Sequence, residues 1–302
     1  MIQVESWSAD GTGYIRLNRP AAINALTAEM IGAIADRLDE WACTDDVRTV
    51  ELSGAGRGFC AGADVRALRQ CVLEGAGAVE FLDAEYALDH RIATYPKPIV
   101  ARLHGIVMGG GMGLSIHAAR RVVTPDATLA MPETAIGLWP DVGMTYHLAR
   151  LAGELGTYMA LTGEPISGAL AVAVGLADEL TAPTEPQTPL AWMEAFAGDD
   201  PVAILARLET SPVAEARAAG AVIRTRSPLS VAVSLAAVRR AAGLSLAGVF
   251  EQDRRLGRFF VSQPDFVEGV RARLVDKDFA PRWSYARLED VPPGLVEDAF
   301  QS

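Results

Sequence analysis

Two glycine-rich segments set the first limits on what this chain can fold into. GAGRGFCAGADV (54–65) and GGGMGLSIHAA (109–119) each follow a short apolar run of strand character and precede a helical pattern. Glycine lets backbone N–H groups approach a neighbouring oxygen with no Cβ in the way. The first N–H groups of a helix also lack intrahelical acceptors. A strand–glycine turn–helix unit that occurs twice favours an α/β fold over a sandwich. Two such turns facing each other would form an oxyanion hole. Neither turn reads G-x-x-x-x-G-K-[ST], and GGGMGL lacks the dinucleotide pattern with an acid about 20 residues on.

The rest of the first 180 residues fits the same rhythm. Residues 2–7 and 13–17 alternate around Asp10-Gly11, a hairpin signal. From Thr27, a plausible N-cap, the positions Met30, Ile31, Ile34, Leu38 and Trp41 have helical spacing. VRTVELSG (47–54), PIVARLHG (98–105), RRVVTP (120–125) and ATLAMP (127–132) read as strands, and 77–94 as a helix ended by Pro96 and Pro98. The expected fold is α/β, a core of stacked ββα units. TAPTEPQTP then marks a linker, and helical patterns follow at 200–209, 213–224, 229–242, 245–262 and 265–273. The division drawn from this is 1–185 for the core and 186–302 for an all-helical C-terminal region.

Composition narrows the function. A formal net charge of −11 argues against nucleic acid and anionic membranes as partners, though a local basic pocket can still hold a phosphate. Cys43, Cys60 and Cys71 show no C-x-x-C spacing and read as reduced thiols of a cytoplasmic protein. The N-terminus shows no signal-peptide pattern, and no apolar run has the length of a membrane span. The four histidines form no ligand cluster, so no metal site is expected.

In MPETAIGLWPDVG (131–143), two acids sit in a stretch that is otherwise apolar or glycine. Glu133 and Asp141 each follow a proline directly. Buried carboxylates are costly unless paired, hydrogen-bonded or used. The alternatives are a helix-start acid at Glu133 and a solvent-facing acid at Asp141.

GAGRGFCAGAD, KPIVARLHGIVMGGGMGLSIHAARRV and MPETAIGLWPDVGMTYHLARL together resemble the crotonase (enoyl-CoA hydratase/isomerase) superfamily. Within it they are most similar to the 3-hydroxyisobutyryl-CoA hydrolases. The likeness returns in SPLSVAVSLAAVRRA and DFVEGVRARLVDKDFAPRW. The resemblance implies a ββα superhelix and an acyl-CoA thioester substrate in valine breakdown, with coenzyme A part of the substrate and no separate cofactor. It implies an oxyanion hole from the N–H groups of Ala61 and Gly110. Substrate contacts are implied at Gly62, Ala63, Asp64 and Gly109, and at Glu85 on the preceding helix. It also implies a homo-oligomer, a trimer or a dimer of trimers, although the C-terminal helices equally suit folding back over their own active site.

The resemblance sharpens the question of the two acids. Hydratases of the superfamily usually carry one glutamate after the GGG turn and one in the P-E dipeptide. Here the first position is Gly113 and the second is Glu133. The hydrolases carry an aspartate in the PDVG segment, which here is Asp141. Thioester hydrolysis needs an attacking oxygen, a stabilised oxyanion and a proton for the leaving thiolate. Glu133 suits nucleophile or general base, and Asp141 suits orienting water or the substrate hydroxyl. The competing readings are a hydratase or isomerase using Glu133 alone, and a non-catalytic coenzyme A-binding scaffold. His104, His117 and Cys60 read as packed residues, and the run 239–258 as a solvated arginine face. Trp139, Phe59 and Trp283 read as core packing, with the lining of an acyl or adenine pocket as the alternative. Residues 181–227 look shorter than in the hydrolases, and Met144 and Thr145 replace a run of glycines, so the acyl group is less defined than the reaction.

Overall fold

The computed structural model describes residues 2–301. The strands are β1 (Val4–Ala9), β2 (Thr12–Leu17), β3 (Thr49–Gly54), β4 (Gly58–Cys60), β5 (Ile99–Leu103), β6 (Ile106–Met108), β7 (Arg120–Val123), β8 (Thr128–Ala130), β9 (Ile166–Ser167) and β10 (Glu179–Leu180). The first helices are α1 (Ala28–Ala42), α2 (Val65–Glu74), α3 (Ala78–Ala93) and α4 (Gly110–Ile116), followed by α5 (Met144–Leu148), α6 (Leu155–Thr162) and α7 (Gly168–Ala173). Among the described residues, the regular elements after β10 are the helices α8 (Pro201–Glu209), α9 (Ala214–Ile223), α10 (Pro228–Ala241), α11 (Leu246–Val261), α12 (Pro264–Val270) and α13 (Pro293–Ala299), with short 3₁₀ and π turns.

The chain forms two compact units that do not follow a single cut in the sequence. The first comprises the residues up to Asp64, Asp83–Ala130 and Pro165–Thr188. The second comprises Val65–Leu82, Met131–Glu164 and everything from Pro189 onward.

The first unit holds both sheets. One has the order β1-β2-β3-β5-β7-β10, the other β4-β6-β8-β9. Consecutive strands alternate between them: β3 then β4, β5 then β6, β7 then β8. Each turn of the chain thus adds one strand to each sheet, and the three added strands run parallel within each sheet. This is the ββα superhelix expected from the sequence. The Asp10-Gly11 hairpin forms with both residues at positive φ, 51° and 80°, the type I′ geometry that suits two twisted strands. Helix α1 also forms as its pattern predicts. Thr27 Oγ1 accepts from Met30 N at 3.2 Å, and Met30, Ile31, Ile34, Leu38 and Trp41 are its buried residues.

Connectivity then explains the glycines. The chain leaves β4 directly into 61–64, leaves β6 into Gly109-Gly110, and leaves β8 towards Glu133. Three parallel strands of one sheet therefore lead into three of the segments that stand out in the sequence.

The second unit has a helical core of its own. Leu161, Phe196, Ile204, Leu205, Leu208, Ile223, Val231 and Leu235 form one apolar cluster between α6, α8, α9 and α10. Asp265, buried on α12, accepts from Ser227 Oγ at 2.6 Å and from Ser284 N at 2.8 Å. One carboxylate thus ties the start of α10 to the extended C-terminal segment.

Candidate active site

In the first unit, the two glycine turns are packed against each other. A Cβ on Gly62 would lie 3.1 Å from the Met108 carbonyl oxygen and 3.3 Å from Gly110 N. Gly62 also has φ +103°, where an L side chain is strained. Asn24 holds the first turn from below. It is fully buried, and its Nδ2 donates to the carbonyls of Ala55, Gly58 and Phe59 at 2.9–3.0 Å. Nothing in NRPAAINAL marked Asn24 as more than a loop residue.

The bonding corrects one sequence expectation. Ala61 N–H already donates to the Ile23 carbonyl at 2.9 Å, so that amide is spent within the fold. Two residues on, the bridge to Leu26 uses the Gly62 carbonyl and Asp64 N–H, which leaves the Ala63 N–H out of it. Ala63 N lies 3.3 Å from the point where a Gly110 Cβ would sit. Gly110 N is the first of α4 and has no acceptor within that helix. The geometry favours Ala63 with Gly110 as the donor pair in place of Ala61 with Gly110. Asp64 has a structural task. Its carboxylate takes Arg19 at 2.7 Å and its N–H donates to the Leu26 carbonyl.

Glu85 is buried, 2% exposed, rather than a solvated helix acid. Its Oε1 stands where a Gly110 Cβ would go, so glycine at 110 makes room for this carboxylate. One helical turn on, Asp89 is fully buried as well, an acid the sequence reading passed over. Cys60 adjoins them. Burial pushes its thiol up to about 12, and the charges of Glu85 and Asp89 push the same way. The thiol donates to the Asn24 carbonyl, so Cys60 is an inert packed residue as expected. His104 sits at the Gly56 carbonyl, 3.0 Å away, as part of the loop scaffold.

In the second unit, both acids of MPETAIGLWPDVG are buried, Glu133 at 6% and Asp141 at 7% exposure. Glu133 opens a 3₁₀ turn, Glu133–Ile136, closed by left-handed Gly137. That turn lies directly on α12. A Cβ on Gly137 would collide with the Asp265 backbone, and one on Gly269 would lie 2.5 Å from the Ile136 carbonyl carbon. Ser227 N also donates to the Thr134 carbonyl at 3.0 Å. Backbone packing on both sides thus fixes the direction in which Glu133 leaves its turn.

Asp141 sits on a strained turn. Val142 has φ +53° and Gly143 has φ +73°, two successive left-handed residues of which the first is β-branched. A non-glycine residue in this region costs about 1–3 kcal/mol unless the surroundings hold it. Met144 N donates to the Asp141 carbonyl at 2.8 Å, which closes the turn. The carboxylate of Asp253, fully buried on α11, spans it. Asp253 Oδ1 accepts from Trp139 Nε1 at 3.1 Å, and Oδ2 accepts from Gly143 N at 2.8 Å. Burial, and then the charge of Asp141, push the Asp253 carboxyl well above the usual carboxylate range, against the two hydrogen bonds. Asp253 lies in the stretch that reads from the sequence as mostly a solvated helix face. Arg240, Arg255 and Arg258 are exposed there as expected, whereas Arg239 is turned inward onto Glu154 at 2.9 Å and Thr157 at 3.0 Å. Trp139 is core as expected, stacked on Phe260 with ring centroids 5.1 Å apart.

Two amides at packed glycine turns, and buried acids on turns elsewhere in the chain, suit acyl transfer or proton transfer beside a carbonyl. The chain belongs to the enoyl-CoA hydratase/isomerase family, whose profile matches residues 12–190 and 183–300. Among its relatives is a zebrafish protein named 3-hydroxyisobutyryl-CoA hydrolase, mitochondrial, 35% identical over 96% of this chain and 87% of the relative. Another is the Neurospora crassa small ribosomal subunit protein mS47, 33% identical over 95% of this chain and 69% of the relative. A solved structure, titled a carnitinyl-CoA dehydratase from Mycobacterium thermoresistibile, matches at TM-score 0.94 and 41% identity over 99% of this chain and 96% of its own. The expectation of a cytoplasmic location does not stand, because the hydrolase relative is named as a mitochondrial protein.

Proposed function

We propose that this protein hydrolyses an acyl-CoA thioester of the 3-hydroxyisobutyryl-CoA type. The observation that carries the reading is the disposition of acids. The first turn of α4, Gly110 to Gly113, offers no carboxylate where hydratases carry their first glutamate, whereas Asp141 is present, buried and braced. Two-carboxylate addition of water to a double bond lacks a partner, and a hydrolytic acid has been supplied. The hydrolase relative supports the same reaction.

In the proposed reaction, the thioester carbonyl oxygen takes the N–H groups of Ala63 and Gly110. A donor of this kind contributes about 10²–10³ in kcat, because the oxygen gains charge as the tetrahedral intermediate forms. Glu133 acts in one of two ways. As general base it takes a proton from water, whose oxygen bonds to the carbonyl carbon. The carbon–sulfur bond then breaks and the proton passes to the thiolate. As nucleophile its carboxylate oxygen bonds to the carbonyl carbon, the carbon–sulfur bond breaks to leave a mixed anhydride and the thiolate, and water hydrolyses the anhydride, releasing the acid, the Glu133 carboxylate and the proton that the thiolate takes up. Asp141 orients the water or the substrate hydroxyl, and Glu85, held beside Gly110, contacts the substrate. Coenzyme A enters and leaves as part of the substrate. Oligomerisation as trimers or dimers of trimers belongs to this proposal as well.

Two findings favour other readings and define the test. The dehydratase title of a structure this similar favours hydration chemistry. The ribosomal relative favours a scaffold that keeps the fold. Wild-type enzyme is given 3-hydroxyisobutyryl-CoA with a thiol reagent and, in parallel, crotonyl-CoA with the enoyl absorbance followed. Thiol release without enoyl loss is the expected result. Enoyl loss without thiol release would assign the chain to the hydratases. Silence in both assays, with coenzyme A esters raising the melting temperature, would make it a scaffold.

A further inference from the structure

We infer that Asp253 is the positioning residue of Asp141, a role that rests on the hydrolase reading above. The two donors it accepts, Trp139 Nε1 and Gly143 N, lie two residues before and two residues after Asp141. One rigid carboxylate on α11 therefore grips the turn on both sides of the acid it presents. The grip acts where the backbone is least favourable, because Val142 and Gly143 are both left-handed. Each oxygen of Asp253 has its own donor, so an amide cannot replace it without turning an NH₂ group towards an N–H.

Placement makes a purely structural staple an incomplete account. Asp253 is fully buried, and its carboxylate lies close enough to Asp141 for the two charges to interact. A carboxyl group offers two separate oxygens, so one side chain can accept from the donors on both sides of Asp141, which an amide cannot do. Arg254, the next residue, is paired with Glu251 at 2.8 Å, and its charge opposes the upward push on Asp253.

The test is a double-mutant cycle read in steady-state thiol release. Asp253→Asn is expected to lower kcat about 10²-fold, the scale of a small misplacement of a reacting group, with KM changed less than about twofold. On an Asp141→Asn background the same change should cost less than about threefold more, since residues that act as one unit are non-additive. A structural lesion alone would multiply with Asp141→Asn, and would scale with the folded fraction measured by circular dichroism. Should Asp253→Asn fail to fold, Trp139→Phe takes its place in the same cycle. It keeps an aromatic ring and deletes one donor, with an expected kcat loss of several-fold, again absent on Asp141→Asn. Full kcat in the folded variant, or losses that multiply, would overturn the assignment while leaving wild-type hydrolysis intact. No thiol release from the wild type would overturn the hydrolase reading and this assignment together.

Discussion

The glycine turns of the first unit and the acid turns of the second are built on opposite principles. Around Gly62 and Gly110 the chain removes side chains, so that backbone amides, a neighbouring carbonyl and the Glu85 carboxylate can approach. Around Glu133 and Asp141 it buries acids and then braces them, one by backbone packing on α12 and the other by a second acid. The first region is specified by volume; in the second, close backbone packing seats Glu133 and hydrogen bonding seats Asp141. The lesson is that perturbing volume and perturbing charge should give separable effects.

The largest effect is expected from Glu133→Gln, which changes charge and almost no volume. Thiol release should fall about 10²–10⁴-fold, as for loss of an acid–base group, with a melting temperature close to wild type. An equal loss of stability would blur the contrast between the regions. Gly110→Ala tests the other side. The added methyl meets the Glu85 carboxylate, so both kcat and stability should fall, kcat by about 10²-fold and stability by about 1–3 kcal/mol from overpacking. A stable, fully active Gly110→Ala enzyme would remove the volume argument.

Smaller and subtler is the pH dependence of two Asp→Asn changes that should run in opposite directions. Folded Asp253 binds its proton more tightly than the unfolded chain does, because burial and Asp141 disfavour its charge. Between the ordinary carboxylate pKa and its raised value, the folded state holds the extra proton, so wild-type stability falls as pH rises. The stability of wild type relative to Asp253→Asn should therefore shrink from acid towards neutral pH. Asp178 is the reverse case. Arg121 and its backbone N–H hold that carboxyl below the usual range, through bonds of 2.6–2.9 Å. Its contribution is complete above the unfolded pKa and is lost as pH falls through the folded one. Asp178→Asn should cost about 0.2–1 kcal/mol at neutral pH, as a partly exposed ion pair does, nothing in strong acid, and no kcat at any pH. Thermal scans across a pH series would show both trends, and slopes of the same sign would contradict the stated causes.

Much of this was legible in the sequence. The spacing of Met30, Ile31, Ile34, Leu38 and Trp41 defines α1, Asp10-Gly11 defines the first hairpin, and the apolar periods after Pro189 define the C-terminal helices. The glycine turns were visible because removal of side chains leaves a compositional trace. What stayed hidden was which amide between the turns is spare. Ala61 and Ala63 are the same residue on either side of Gly62, and only the bond from Ala61 N to the Ile23 carbonyl separates them. Asp253 was masked by its neighbours, because a charged run reads as solvated. The signal that could have found it is periodicity: Val249, Phe250, Asp253, Leu256, Gly257 and Phe260 form one buried stripe of α11, and an acid on such a stripe is out of place. The same reasoning applies to Asp89, on one stripe of α3 with Leu82, Glu85 and Tyr86.

The measurement that bears most directly on hydrolysis by the acid turns is thiol release from 3-hydroxyisobutyryl-CoA by Asp141→Asn beside the wild type. The account predicts a kcat lower by about 10²–10⁴-fold at a KM near the wild-type value, in a protein that melts as the wild type does. An Asp141→Asn enzyme that still releases thiol at the wild-type rate would contradict it, and would leave Glu133 acting alone.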